Sequence, residues 1–331
     1  MFSVIHIEML EAIDLFSGIG GFSFTFKSQI KTILYVDTSK DCQDVLKSLM
    51  RKGYIDSAPV NDDVRSVTLQ DFRGKNPAVI FAGFPCQDFS ACNHKGKGLD
   101  GSRSSLFFEI VRICDEVSTV RHVVMENVSK LVKSGMINLV KKLFEEKGFT
   151  FSYVMVQAAQ CGAPHLRRRC FMIATKDRDE LATIRLERSN DWHRIPDNMI
   201  EAGDKEQVRQ VRNRAAMCGN SIVPDCLRAS FNFLVHSVPL PLTYTDYNVV
   251  LVDEEMNIIH KKKRWGTPYA STHLYYPYKK LTPRSTTVLY NQVYYQDKNI
   301  SRRGGGWTIN PRFVEWMMGY PQDYTTTTMS E

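Results

Sequence analysis

The chain has 331 residues, of which 43% are hydrophobic and 24% charged, a composition that indicates a globular protein with a substantial core and excludes a disordered chain. Its net charge of +7 favours an anionic partner, although a solvated basic surface would give the same value. Its apolar runs are too short to span a bilayer, and the N-terminus lacks the basic start and long apolar core of a signal peptide. The eight cysteines form no Cys-x-x-Cys pair, so we expect an intracellular, soluble protein with reduced thiols and no bound metal.

A Gly-rich turn follows the first predicted strand. Residues 9–16 are predicted to form that strand, the run Ser-Gly-Ile-Gly-Gly occupies 17–21, and 22–30 can be helical. Strand, turn and helix together form a nucleotide-type binding corner, in which glycines let the backbone approach a ligand. The third glycine of the dinucleotide fingerprint is absent at its usual spacing, so a pyrophosphate is not favoured, and a turn without a ligand is the alternative.

Acidic residues follow the next two predicted strands. Asp37 ends a strand at 32–36, where a carboxylate suits the two hydroxyls of a ribose. Asp63 ends a third short strand and could accept a hydrogen bond from an adenine amine, with Val64 against the ring. Either carboxylate could be structural instead, and Asp37 could cap a helix that begins near Ser39.

A cysteine follows the fourth predicted strand. That strand, at 78–82, leads into the run Gly-Phe-Pro-Cys-Gln-Asp-Phe-Ser at 83–90. The Cys86 thiol is therefore expected on a stiff turn at the carboxyl end of a strand, where open α/β sheets bind ligands. The polar, Gly- and Lys-rich residues 88–104 beside it are predicted to form a mobile lid.

Helices and strands continue to alternate up to residue 175. The alternation predicts an α/β fold built on a doubly wound sheet. The elements expected here are a helix at 106–117, a strand at 121–125 ending in Glu-Asn-Val at 126–128, a helix at 129–147, and strands at 150–158 and 170–175. Three arginines, 167–169, enter the last strand, and the strand period places Arg167 and Arg169 on one side, although a solvated turn is the alternative.

The second half is organised differently. Residues 176–203 are polar and poorly periodic and are predicted to be a linker. A helix at 204–217 is expected to break at Cys-Gly-Asn-Ser-Ile-Val-Pro, 218–224, and to resume at 226–235. A further amphipathic helix is predicted within 310–319, stopped by its glycine.

Between these helices, residues 240–308 are rich in tyrosine and in basic residues. They hold nine of the chain's fourteen tyrosines and ten Lys or Arg against five acids. Short β-like runs alternate there with Pro and Gly turns, which favours a small β-rich domain whose cations meet phosphates and whose rings meet bases. A tyrosine-rich β core with lysines lying over it is the alternative.

The residue types at the predicted sheet edge suit one reaction. A thiolate that adds to C6 of cytosine makes C5 able to take a methyl group from a sulfonium donor. A carboxylic acid at N3 favours that addition, and arginines can hold O2 and a phosphate. Loss of the C5 proton then expels the cysteine.

Four blocks of sequence resemble the DNA (cytosine-5) methyltransferase family. The order and spacing of its blocks match from residue 14 to 175. The blocks are Asp-Leu-Phe-Ser-Gly-Ile-Gly-Gly at 14–21, Gly-Phe-Pro-Cys-Gln-Asp-Phe-Ser at 83–90, Glu-Asn-Val at 126–128 and Gly-Asn-Ser-Ile-Val-Pro at 219–224.

The resemblance implies a Rossmann-like methyltransferase sheet with a smaller β-rich recognition domain, S-adenosylmethionine as methyl donor, and a cytosine flipped out of duplex DNA. It implies Cys86 as nucleophile, carried by Pro85, and Glu126 as the N3 partner beside Asn127. Arg169, with Arg167 behind it, would hold the cytosine and the turn. Around the donor it implies Phe16, Gly18, Ile19, Gly20, Asp37, Asp63, Val64, Asn220 and Ser221. Toward DNA we expect Gln87, Ser90, Arg103, Lys261, Lys262, Lys263, Arg264, Arg302 and Arg303.

The chain departs from the family pattern in two ways. His165 stands where the family has a glutamine, and Arg168 replaces an acidic or polar residue. The Gly-Asn-Ser block also precedes the tyrosine-rich region rather than coming last. We therefore predict a catalytic domain at 1–238 with its linker at 176–203, a target-recognition domain at 239–308, and a helix and tail at 309–331 that return to the catalytic domain.

Three other functions fit parts of the sequence. A tRNA methyltransferase of the same fold would usually carry a Cys-Phe-Thr signature, which is absent. A non-catalytic DNA-binding relative would not need the catalytic residue types that are present. A cysteine hydrolase would need a histidine partner, and only His165 lies near a predicted sheet edge. We expect a monomer, with a possible cognate restriction endonuclease acting on the same DNA site.

Overall fold

The computed structural model of the chain describes the ranges 9–85, 106–187, 200–202, 205–241, 249–252, 258–262 and 307–327. Within 200–212, 249–262 and 307–309 it describes the backbone and not the side chains.

A seven-stranded sheet organises the first half of the chain, in the order β3-β2-β1-β4-β5-β7-β6. Neighbouring strands from β3 to β5 are parallel, whereas β7 runs antiparallel to both β5 and β6. The order reverses between β1 and β4, and such a switch point opens a crevice at the carboxyl ends of the strands. The strands are β1 (Leu10–Leu15), β2 (Ile30–Val36), β3 (Val60–Asn61), β4 (Pro77–Ala82), β5 (His122–Val128), β6 (Thr150–Gln157) and β7 (Arg168–Thr175). The predicted doubly wound architecture is confirmed.

Alternating side chains of the central strands pack into two separate hydrophobic cores. In β4, Val79 and Phe81 belong to one core, and Ile80 and Ala82 belong to the other. A strand that is apolar on both faces is what a central parallel strand requires, because helices cover both sides of the sheet. This explains why the predicted strands appear in the sequence as continuous apolar runs.

Helices cover the two faces of the sheet. One core receives side chains from α1 (Gly21–Phe26), α2 (Lys40–Arg51), α7 (Lys205–Asn220), α8 (Pro224–His236) and α9 (Pro311–Met318). The other core receives them from α3 (Phe107–Glu116), α4 (Lys130–Lys133) and α5 (Met136–Glu145). A short helix α6 (Arg178–Leu181) follows β7. None of these helices, within the described part of the chain, is long and apolar enough to cross a membrane.

Two predicted helices have different bounds in the structure. The first helix ends at Phe26 rather than near residue 30, because Ile30 already begins β2. The helix predicted at 129–147 is divided into α4 and α5 by Gly135, which has φ 76° and serves as the N-cap of α5. A left-handed residue cannot continue a helix, and glycine adopts that conformation without steric cost.

In its described residues, the region predicted to be a linker and a broken helix contains elements that were not expected. Within 176–203 the chain forms α6 and a strand, β8 (Ile200–Ala202), which pairs with β11 (Trp307–Ile309). Helix α7 also does not stop at residue 217 but continues through Cys218 and Gly219 to Asn220. Strand β8 could not be predicted from its polar sequence, because its partner lies about a hundred residues further along the chain and no local pattern indicates that pairing.

The C-terminal helix packs against an earlier helix of the chain. Helix α9 begins at Asn310, whose side chain accepts a hydrogen bond from Arg312 N (2.9 Å), and it ends at Gly319 with φ 77°. It packs against α7. The fully buried Glu315 accepts hydrogen bonds from the backbone N–H groups of Asp323 (2.8 Å) and Thr325 (2.9 Å), which folds the tail onto the helix.

In the predicted recognition region the structure describes one hairpin. Strand β9 (Val249–Val252) pairs antiparallel with β10 (Ile258–Lys262), so Lys261 and Lys262 lie on its second strand. The other basic residues expected to meet DNA, Lys263, Arg264, Arg302 and Arg303, lie outside the described residues. The β-rich nature of this region and its limits remain predictions.

A buried carboxyl group lies in β1 beneath the Gly-rich turn. Asp14 is fully buried, its Oδ2 accepts a hydrogen bond from Ser23 Oγ (2.8 Å), and its Oδ1 has no hydrogen-bond partner. Burial raises the pKa of Asp14 from 3.8 to about 8, which the bond from Ser23 opposes only in part. The carboxyl group is therefore protonated in the folded protein at neutral pH and ionised in the unfolded chain.

Asp14 should make the protein less stable as pH rises from about 4 to about 8. In that window the folded chain binds more protons than the unfolded chain, so the free energy of unfolding falls, by up to about 1.4 kcal/mol per pH unit from this group. Asp14→Asn should flatten the dependence measured by urea unfolding at several pH values. Asp179→Asn, which changes an exposed carboxylate, is the control. An unchanged slope in Asp14→Asn would show that Asp14 is ionised in the fold.

Candidate active site

A cavity of about 720 Å³ lies at the carboxyl edge of the sheet, where β1 and β4 diverge. Its walls come from the Gly-rich turn, the ends of β2 and β5, the turn after β4, and the end of α7. Its size is that of a small-molecule site. The predicted residues that line it are Phe16, Gly18, Ile19, Asp37, Asp63, Val64, Pro85, Glu126, Asn220 and Ser221.

The Gly-rich turn is held in a strained shape by its neighbours. Phe16 has φ 56°, which is unfavourable for a residue with a side chain, and Gly18 has φ 54°. Ser17 stabilises both, because its Oγ donates to Asp14 O (2.5 Å) and accepts from Val36 N (3.0 Å). The turn is thereby joined to β2 and presents its backbone to the cavity.

Gly20 has a different place from the one expected. It does not line the cavity. It precedes α1 with φ 72°, and a Cβ there would lie 3.2 Å from Leu46 Cδ2 and 3.4 Å from Ile55 Cδ1. Close packing against the core, together with its left-handed backbone, accounts for this glycine.

Asp37 supports the turn and still faces the cavity. Its Oδ2 accepts from Gly18 N (2.8 Å) and its Oδ1 from Ser39 N (2.9 Å). Burial raises the pKa of Asp37, and these two backbone hydrogen bonds oppose the rise. The helix cap considered as an alternative role is performed by Ser39 itself, whose side chain accepts from Cys42 N. Each Asp37 oxygen retains a lone pair for a ligand hydroxyl.

Asp63 is held by a neighbouring arginine. Arg65 Nη2 lies 2.7 Å from Asp63 Oδ2 and Arg65 Nε lies 2.9 Å from Oδ1, which lowers the pKa of Asp63. Asp63 also caps the turn at 64–66 by accepting from Arg65 N (2.9 Å). This is the structural role weighed as an alternative for Asp63, and both residues line the cavity with Val64.

Glu126 is a buried carboxyl group with one oxygen left without a hydrogen bond. It is 8% exposed, and Arg169 Nε lies 2.9 Å from its Oε1 without the N–H being aimed at that oxygen. Burial raises the pKa of Glu126, and the charges of Arg169 and Arg167 oppose the rise. Glu126 lines the same cavity as the Gly-rich turn, so this carboxyl group faces the ligand space.

The Arg167 guanidinium donates hydrogen bonds to main-chain carbonyls. It is 3% exposed, and it donates to Gly219 O and Ser221 O, each at 2.6 Å. These carbonyls lie at and just beyond the C-terminal end of α7, where a cation is favoured. Arg167 therefore holds the Gly-Asn-Ser turn, whereas Arg169 approaches Glu126, and the predicted shared side of the strand is consistent with both contacts.

His165 links the arginine strand to the C-terminal helix. Its Nε2 lies 3.0 Å from Met317 O, and Arg167 N donates to its Nδ1 (3.3 Å). Since Met317 O can only accept, the imidazole is neutral with its proton on Nε2. Burial lowers the pKa of His165 to about 3, which agrees with that form. Both ring nitrogens of His165 are thus engaged in structural hydrogen bonds. Neither is free to act as the partner of a cysteine in a hydrolase.

Asn127 anchors the turn that carries the predicted nucleophile. Its Nδ2 donates to Phe84 O (3.0 Å), and its Oδ1 accepts from Val128 N (2.8 Å). The end of β5 and the turn after β4 are therefore fixed to each other. Pro85 is exposed at the cavity. Cys86, Gln87, Ser90 and Arg103 lie outside the described residues, as does the predicted lid.

Comparisons with known proteins agree with this geometry. A sequence profile of the family described as C-5 cytosine-specific DNA methylase matches residues 10–331. The chain belongs to this family. It is 26% identical to the type II methyltransferase M.CviJI of Paramecium bursaria Chlorella virus IL3A over 94% of this chain and 96% of that protein.

Two bacterial members of the family match the first half of the chain. The type II methyltransferase M.HhaI of Haemophilus parahaemolyticus is 32% identical over 51% of this chain and 50% of its own length. M1.HphI, from the same organism, is 30% identical over 54% of this chain and 49% of its own length. The chain thus matches about half the length of these two.

Sequence reasoning missed the contacts of the C-terminal segment with residues that line this cavity. Tyr320 reaches Ser221, and Tyr324 Oη donates to Ile19 O in the Gly-rich turn (3.1 Å). The only signal in the sequence was the resemblance of 310–319 to a family helix, which carried no information about the tyrosines that follow it. In the described residues no cluster of three or more metal-ligating side chains occurs.

Proposed function

We propose that this family member transfers a methyl group from S-adenosylmethionine to C5 of a flipped cytosine in duplex DNA, with Cys86 as nucleophile. The observation that carries the proposal is Glu126, a buried carboxyl beside Arg169 with one oxygen that accepts no hydrogen bond, in the same cavity as the Gly-rich turn. A carboxyl group that can hydrogen-bond to the base and a cofactor-type turn in one cavity are what this reaction requires.

The cavity residues fit S-adenosylmethionine. Asp37 retains lone pairs for the ribose hydroxyls, and Gly18 and Phe16 present a positive-φ backbone that leaves room for a ligand. When bound, the cofactor supplies an electrophilic methyl group. Asp63 would accept a hydrogen bond from an adenine amine only with an oxygen that Arg65 already contacts.

The chain's own groups carry the rest of the chemistry. The Cys86 thiolate adds to C6 of cytosine while Glu126 stabilises the negative charge that develops at N3 by hydrogen bonding or proton transfer. Arg169, beside Glu126, supplies a donor for the cytosine O2. After C5 is methylated, a base removes the C5 proton and the electron pair expels the Cys86 thiolate.

We further propose that residues 239–308 recognise the DNA site. The β9–β10 hairpin with Lys261 and Lys262 on its second strand supports this, as does the return of α9 to the catalytic half. Lys263, Arg264, Arg302 and Arg303 would add phosphate contacts. We also propose a monomeric modification enzyme with a cognate nuclease for the same site; the name type II methyltransferase, which the relatives carry, supports the modification role.

Bisulfite sequencing of DNA from cells that express the protein tests this function. Wild-type protein should protect cytosines in one sequence context, whereas Cys86→Ala and a variant lacking 240–308 should protect none. Both variants should still bind S-adenosylhomocysteine. That binding would show that the variants are folded and that they have lost only catalysis or DNA recognition. DNA with 5-fluorocytosine at the site should trap wild-type protein covalently. Methylation without an adduct would show that Cys86 is not the nucleophile. Methyl transfer to tRNA and not to DNA would show that the substrate is RNA.

A further inference from the structure

The Tyr320 hydroxyl group bridges two groups of the Gly-Asn-Ser turn. Tyr320 is 5% exposed, its Oη donates to Ile222 O at 2.9 Å, and it lies 2.6 Å from Ser221 Oγ. A tyrosine hydroxyl has one hydrogen, and a main-chain carbonyl can only accept. The Tyr320 hydrogen therefore goes to Ile222 O, so the short contact with Ser221 uses the hydrogen of Ser221.

This bridge determines whether Ser221 presents a hydrogen-bond donor or an acceptor to the cavity. With its hydrogen committed to Tyr320, Ser221 Oγ has only lone pairs left, and Ser221 lines the cavity. The main-chain carbonyls of Gly219 and Ser221 already accept from Arg167 on the other side of the turn. The side-chain oxygen of Ser221 is therefore an acceptor held ready for a donor group of the ligand.

Gly21 makes room for this arrangement. A Cβ on Gly21 would lie 2.7 Å from Tyr320 Oη and 3.2 Å from Ser221 Oγ, distances too short for a methyl group. The last glycine of the Gly-rich turn thus serves the tyrosine and the serine. Its requirement arises from contacts with Ser221 and Tyr320, about two hundred and about three hundred positions further along the chain.

We propose that Tyr320 is a positioning residue that makes Ser221 the acceptor for the ammonium group of the cofactor's methionine portion. This inference rests on the proposed use of S-adenosylmethionine. An ammonium group has three donors and no acceptor, so it matches the lone pairs of Ser221, whereas a carboxylate would be repelled by them. Tyr320 acts through Ser221 and does not itself line the cavity.

Calorimetric binding of two ligands tests the proposal. The first is S-adenosylhomocysteine, and the second is its desamino analogue, in which hydrogen replaces the amino group. Tyr320→Phe should weaken binding of the first about threefold to tenfold, the value of roughly one hydrogen bond. It should leave binding of the second unchanged. Ser221→Ala should give the same pattern and keeps the test open if Tyr320→Phe does not fold.

Tyr324→Phe is the matched control. It removes the bond to Ile19 O and keeps the ring that stacks on Tyr320 at 4.5 Å between centroids, so it should change the binding of both ligands by a similar factor. Equal weakening of both ligands by Tyr320→Phe, or none, would overturn the inference and leave the proposed function standing. Wild-type protein that binds neither ligand would overturn the proposed function and this inference with it.

Discussion

Replacing Glu126 by glutamine should lower the rate constant of methyl transfer about 10²-fold to 10⁴-fold, the usual contribution of a general acid. Glutamine keeps the shape of the side chain and can donate a hydrogen bond, but it cannot transfer a proton to cytosine N3. Single-turnover transfer of labelled methyl to a duplex that contains the methylated site measures the rate constant. Dissociation constants for S-adenosylhomocysteine and DNA should stay within a few fold.

The pH dependence distinguishes proton transfer from simple positioning. Since burial raises the pKa of Glu126, the protonated form persists above the usual range of a carboxylic acid, and the wild-type rate should fall on the alkaline side as that proton is lost. Glu126→Gln should lack the part of this fall that is due to Glu126. Glu109→Gln, which removes a surface partner of Arg112, is the control. A wild-type rate in Glu126→Gln would exclude Glu126 as the acid.

The sheet could be predicted from the sequence because its information is local. Apolar runs such as Pro77–Ala82 and the Gly-rich turn that follows Leu15 each identify themselves within a few residues. The division at Gly135 was missed because a helical pattern of apolar residues continues across it, and a single glycine does not show in sequence whether its φ is positive. Strand β8 was missed because its partner is distant.

The site could be predicted in its residue types and not in its contacts. Glu126, Asp37 and the Gly-rich turn follow from their positions at strand ends, and they do line one cavity. The bond from His165 to Met317 O joins residues 152 positions apart, and the bond from Ser221 to Tyr320 joins residues 99 positions apart. Such pairings depend on how α9 packs on α7, which no local spacing encodes.

Replacing Arg167 by methionine should destabilise the protein by about 2–6 kcal/mol, because two main-chain carbonyls each lose their donor at a cost of about 1–3 kcal/mol. The buried guanidinium satisfies the carbonyls of Gly219 and Ser221, and methionine would leave both without that donor. Arg167→Lys should cost less, because it keeps the charge, yet one ammonium group cannot reproduce the two forked bonds. Urea unfolding should therefore rank the wild type above lysine and lysine above methionine.

Arg168 provides the matched control, since it is adjacent in sequence and exposed. Arg168→Met should change the free energy of unfolding by no more than about 0.5 kcal/mol, as surface substitutions usually do. Because Arg167 holds the turn that carries Asn220 and Ser221, Arg167→Lys should also weaken S-adenosylhomocysteine binding, whereas Arg169→Lys should chiefly slow methyl transfer. Equal effects of both lysine variants on cofactor binding would contradict this division, because only Arg167 reaches the cofactor side of the cavity through the end of α7.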